Sequence, residues 1–167
     1  NAVTSQKIKD GAVDQADLAA GVVSSLKGAA TSAYVYLPDA SFTAATHPAL
    51  DTGLVVASVD IATAVPSRLT VTATVGADAT ALSANPSVRY FISCQVLIGG
   101  SAAGPFGYGA PYLMDALDSD EVTIATTGGA DVDAGTHTVA LRCTTVRADG
   151  GSPRLFRPSI AVVATPR

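Results

Sequence analysis

Apolar positions in this chain follow two rhythms, and the change between them divides it. Val3, Ile8, Val13, Leu18 and Val23 fall at intervals of five, with small or polar residues between them. Asn1-Ala2-Val3 and Gly11-Ala12-Val13 recur with the same phase. A five-residue period matches neither the helical stripe at 3.6 nor the strand alternation at 2, so this segment cannot bury its apolar face alone. Several copies wound around one axis can, which makes these five residues candidates for an oligomerising stem. The second half of the segment also reads as a short helix over 15–27, with Asp14 as N-cap, Asp17 in the first turn and Gly28 just past Lys27.

Beyond the small-residue linker Gly28–Ser32 the period becomes two. In Arg68–Val75, Leu69, Val71, Ala73 and Val75 share one face, while Thr70, Thr72 and Thr74 share the other. That alternation predicts a half-buried antiparallel strand. Val88, Tyr90, Ile92, Cys94 and Val96 share a face in the next long run, as do Val139, Leu141 and Cys143 within Thr136–Val146. Weaker strand candidates are Ala33–Leu37, Leu54–Ile61, Glu121–Thr126 and Leu155–Ala164. Turn clusters stand between them: Pro38-Asp39, Thr46-His47-Pro48, Ala84-Asn85-Pro86, Gly99-Gly100, Gly128-Gly129, Ala134-Gly135 and Asp149-Gly150-Gly151. The pattern predicts an all-β, antiparallel sandwich or jelly roll over 32–167, preceded by a stem over 1–31.

The cysteines bear on the register. Cys94 and Cys143 both fall on the apolar faces of their strands, so both can point into one core. If they pair, the chain-entropy model gives roughly 4 kcal/mol for a loop of this size. The alternative is two buried thiols acting as small core residues.

Composition sharpens the picture. Of the 167 residues 48% are hydrophobic, which argues against disorder, but only 5% are aromatic and Trp is absent, so the core must be built from many thin, β-branched layers. Charged residues make up 14%, against about 25% in ordinary soluble domains. A surface so short of charge predicts that part of it is hidden between copies. A net charge of -4 with scattered Lys and Arg removes the electrostatic footprint of a nucleic-acid binder. No apolar run reaches the roughly 18 residues of a membrane span. The first residue is Asn1, with no Met or signal peptide, so the expectation is a processed chain or part of a longer one, with any anchor upstream. Two Cys in a chain poor in Lys suit an oxidising, extracellular setting.

The stretch Asn1–Leu18 resembles the NSVTSxKIKDGxVxxADL repeats of actinobacterial surface proteins and of tail fibres or other appendages of phages that infect such hosts. Ala134–Cys143 is similar to the penultimate strand of jelly-roll heads of the complement and tumour necrosis factor type, and Ile160–Ala164 sits where such heads keep their last core strand. The resemblance implies a homotrimeric, extracellular or virion-attached head, whose work is structure, adhesion or receptor binding. The chain departs from those relatives in lacking a Gly-X-Y stalk and in having few aromatics to line a trimer axis.

Candidate chemistry is sparse. A hydrolase needs a nucleophile with a positioned base, and the two imidazoles, His47 before Pro48 and His137 on an alternating strand, have no motif around them. His137 reads as a satisfied, partly buried histidine. No zinc spacing is present, and no cofactor is expected. Asp115, Asp118, Asp120 and Glu121 cluster in one loop as weak Ca²⁺ candidates, with a solvated acidic loop as the plain reading. Asp131 and Asp133 read as turn formers. In the glycine-rich loop Gly99–Tyr112, Phe106, Tyr108 and Tyr112 form the one aromatic group that can stack on a sugar or anchor in a partner. The plain reading of that loop is packing over the barrel end or on a neighbouring subunit. The sequence therefore predicts a non-enzymatic assembly head of a phage virion appendage or bacterial surface fibre. It partners itself, and also other virion or fibre proteins, with a lectin-like adhesin head recognising a cell-surface glycan as the alternative.

Overall fold

A computed structural model of the chain describes residues 30–43, 53–80, 91–109, 121–146 and 152–167. The expected stem, with Val3, Ile8, Val13, Leu18 and Val23 and the alternative helix, lies outside the described residues. So do His47, the clusters at 84–86 and 149–151, and the candidates Tyr112, Asp115, Asp118 and Asp120.

Ten strands are described: β1 Thr31–Tyr36, β2 Ser41–Thr43, β3 Leu54–Thr63, β4 Ser67–Thr80, β5 Phe91–Ile98, β6 Ser101–Ala102, β7 Gly107–Gly109, β8 Val122–Val132, β9 Gly135–Val146 and β10 Ser152–Pro166. They form two antiparallel sheets. The first runs β1-β10-β4-β8, with β2 beside β10; the second runs β3-β9-β5-β6, with β7 beside β5. From β2 to β5 and again from β7 to β10 successive strands alternate between layers, while the last strand returns to lie beside the first. This is the Greek-key winding of a jelly roll, as the turn spacing predicted. The stretch Ala134–Cys143 overlaps the penultimate strand and Ile160–Ala164 lies in the last.

Period-two patterning sets which side chains meet. Leu69, Val71, Ala73, Val75 and Ala77 of β4 point inward with Ile160, Val162 and Ala164 of β10, against Ile92, Cys94, Val96, Val139 and Leu141 of the opposite sheet. The largest fully buried side chains are all Leu, Ile or Val, so the core is the thin, β-branched stack that the composition required. Cys94 and Cys143 face each other directly across β5 and β9 and form a disulfide in this core.

Several turn assignments need correction. Gly128, Gly129 and Asp131 lie inside β8, not in a turn. They read as turn residues because Gly is rare in strands, but at Gly128 a Cβ would stand 2.8 Å from the Ala103 carbonyl oxygen and 2.9 Å from Val96, so close approach of the two layers excludes a side chain. The run Gly99–Tyr112 is not one loop either. Gly99 and Gly100 take φ values of 57° and 80°, the two-residue hairpin geometry that folds β6 back on β5, and β7 then pairs with Ile92–Cys94. Between β6 and β7, both beside β5, the chain runs across to the edge strand β8 of the other sheet. The Gly129 amide donates to the Ala103 carbonyl at 2.7 Å and the Thr126 hydroxyl to the Pro105 carbonyl at 3.0 Å, so this crossing covers the outer edge of β8.

Candidate functional site

The most irregular point of the described chain is in β10. Its residues Arg154–Phe156 pair with β2, its residues from Ser159 onward pair with β1, and the register shifts between them. Arg157, at the shift, has φ 50°, the one non-glycine positive φ among the described residues. A β-branched or aromatic residue resists that left-handed conformation, and even Arg holds it at a cost of about 1–3 kcal/mol. Two backbone hydrogen bonds fix it: the Arg157 amide donates to the Ala40 carbonyl at 3.2 Å, and the Leu37 amide to the Pro158 carbonyl at 3.1 Å. The bulge also turns Arg157 outward beside Phe156.

Phe156 stands opposite Gly76 of β4, and its ring occupies the space a side chain there would take: a Cβ on Gly76 would meet the ring Cε2 at 2.5 Å. The ring thus covers a glycine gap in the sheet. The Arg154 guanidinium carbon lies 5.2 Å from the ring centroid and that of Arg157 5.6 Å, both within cation–π range. Arg154 is further tied to Asp78, its cross-strand partner, by its Nε, which donates to the two carboxylate oxygens at 3.1 and 3.0 Å, and by Nη2 to Oδ2. The Asp78 side chain is 1% exposed and that of Arg154 40%. The side-chain hydrogen bond from Asp78 pushes the Arg154 pKa above the ordinary arginine value; burial opposes the rise, and the charges of Asp78 and Glu121 add to it. Arg154 is therefore spent on Asp78, while Arg157 has no ion-pair partner among the described residues.

Two grooves flank the Phe156 ring. One, of about 160 Å³, is lined by Pro38, Asp39, Ala40, Ser41, Glu121 and Arg154; the other, of about 260 Å³, by Tyr36, Thr74, Gly76, Val122 and Thr123. Glu121, Phe156 and Arg157 line both. The result is an aromatic ridge with a concavity on either side, both lined by Arg157 and Glu121, the smaller also by Arg154 and Asp39.

The structure does not gather the candidates expected from the sequence at this place, Glu121 excepted. Phe106 lies in the crossing between β6 and β7 and is 45% exposed; Tyr108 is in β7, opposite Ser93. His137 is half-buried, and its Nε2 donates to the Asp133 carbonyl at 2.9 Å, the satisfied arrangement expected of it. Asp133 lies in the β8–β9 connection, and its carbonyl also accepts the Thr63 hydroxyl at 3.0 Å. Asp131 instead receives Arg68 at 3.2 Å and Arg167 at 2.8 Å. Phe156 and Arg157 do not stand out in the sequence because Leu155–Ala164 reads as an uninterrupted strand. The one available signal was the break in alternation at Phe156-Arg157-Pro158, where two polar-face positions fall side by side before a proline.

No protein-family model matches the chain, and no curated protein matches its sequence. Solved structures do resemble it. A chain of the IBDV viral particle is 13% identical over 81% of this chain and 35% of its own, with a TM-score of 0.45. The EclA C-terminal domain, a sugar-binding protein, is 16% identical over 75% of this chain and 82% of its own, with a TM-score of 0.37. The CBM36-1 domain of a multidomain xylanase from the hindgut metagenome of Trinervitermes trinervoides is 16% identical over 63% of this chain and 67% of its own, with a TM-score of 0.26. The chain spans about a third of the length of the viral chain it matches. At these identities and TM-scores the likeness carries no argument about this chain.

Proposed function

We propose that this chain is a non-enzymatic assembly head that joins copies of itself, as a homotrimer, on a phage virion appendage or bacterial surface fibre outside the cytoplasm. The observation that carries the reading is the outer face of the first sheet. Its rows, read across β1, β10, β4 and β8, are Ser32-Val163-Thr70-Gly129, Tyr34-Ala161-Thr72-Thr127 and Tyr36-Ser159-Thr74-Ala125. These rows carry no charge, and Tyr34 and Val163 are 65% and 44% exposed. Charges enter at its two ends, where Arg68, Asp131 and Arg167 pair among themselves at one and Arg154 pairs with Asp78 at the other. An uncharged face with exposed Tyr and Val has the composition of an interface core. The number three comes from the five-residue stem period and the resemblance of Asn1–Leu18. Absence of catalysis rests on the sequence, in which neither imidazole has a motif.

Native mass measurement tests it. The intact chain should be a trimer, and a version starting at Ala30 should dissociate at higher concentration. A monomeric intact chain would sink the proposal.

A second reading, a lectin-like head, is favoured by the exposure of Phe106 beside β7. Glycan-array binding lost on Phe106→Ala or Tyr108→Ala supports it, and an array without signal removes it.

A further inference from the structure

The geometry points to a neutral-sugar site on the Phe156–Arg157 ridge of β10, in which Arg157 and Glu121 grip the hydroxyls of a pyranose packed against Phe156 and Tyr36. It rests on the sugar-binding reading but places the site at the bulge of β10, not at Phe106.

Four observations converge. Left-handed backbone at a non-glycine residue is stored strain, and here it turns one guanidinium toward the rim of two grooves. That guanidinium is a planar fork of donors with no ion-pair partner among the described residues. Glu121, on the same grooves, supplies acceptors, so a vicinal diol meets donors and acceptors together. Phe156 and Tyr36 give the larger groove apolar walls for the C–H face of a sugar ring, and the hydroxyl-bearing Thr123 and Ser41 lie at the rims of the two grooves.

Charge selects the ligand class. Arg154 is neutralised by Asp78, which leaves Arg157 against Glu121 and Asp39 around the grooves. An anion would meet more negative than positive charge, whereas an uncharged polyol uses both signs. Each groove is smaller than the usual ligand pocket of about 300–1,000 Å³, but the two together fall within that range. Because they share Phe156, a glycan of two or more residues can lie across the ridge. The site shares the row Tyr36-Ser159-Thr74 with the edge of the uncharged face.

The test uses the full-length chain on an array of neutral and acidic glycans, followed by titration with the strongest neutral hit. Arg157→Gly, which suits the left-handed backbone, and Glu121→Gln on an exposed position should each weaken binding by about tenfold or more, the loss of one charge-assisted hydrogen bond. Native mass of both variants should be unchanged. Binding to neutral glycans that survives both substitutions, or a preference for acidic glycans, overturns the inference. If binding falls with Phe106→Ala and not with Arg157→Gly, the sugar-binding reading stands and this site is wrong; an array without signal removes both.

Discussion

A single side chain decides how the bulged end of β10 is held. Asp78 is buried on a sheet face that is otherwise open, and among the described residues only Arg154 compensates its charge. The two partners are therefore not equivalent. Arg154→Met leaves a carboxylate buried without a counter-ion and should cost about 3 kcal/mol or more, while Asp78→Asn leaves a guanidinium with access to water and should cost less. Urea unfolding of the two variants checks the order, and equal midpoints would show that Asp78 finds another donor. Arg157→Gly should leave the unfolding free energy within about 0.5 kcal/mol of the parent, since the relief of left-handed strain offsets the entropy glycine loses on folding.

Among the elements, β5 and β9 are tied most firmly. Cys94 and Cys143 are 49 residues apart in sequence and meet across the ladder. Replacing both with Ala removes the covalent closure; the chain-entropy model gives a loss of roughly 4 kcal/mol, and the melting temperature should fall by about 10 °C. An unchanged melting temperature would mean that the core holds these strands without the bond. This pairing was half legible: alternation placed both cysteines inward, but two inward cysteines on different strands need not be neighbours until the strand order is known. The long strands were legible for the same reason, since one buried face imposes alternation on Leu69–Val75 and on Val139–Cys143. β2, β6 and β7 were not, because two or three residues cannot display a period. Gly128-Gly129 misled because a glycine chosen for close approach looks the same in sequence as one chosen for a turn. The groove at Phe156 was hidden because its residues come from β1, β4, β8 and β10, and nothing in the order of the chain announces that they meet.

For the whole molecule, the claim to test is that copies associate through the uncharged sheet face. Tyr34→Lys combined with Val163→Asp puts charge on two exposed positions of adjacent strands without touching the core. The altered chain should keep its strand signal in circular dichroism and its melting temperature within a few degrees, yet sediment at a lower mass than the parent. Unchanged mass would move the interface elsewhere. The crossing at 103–106 constrains what such an interface can be. It occupies the outer hydrogen-bonding edge of β8 through Gly129 and Thr126, and on the far side of the sandwich the Thr31 hydroxyl reaches the Ala62 carbonyl of β3 at 3.4 Å. With that border taken, a neighbour has no ladder to extend there by backbone pairing. Recognition between heads must then be written in side chains, which makes it reversible and editable by mutation, and it denies crowded heads a route to fibrillar growth along that rim.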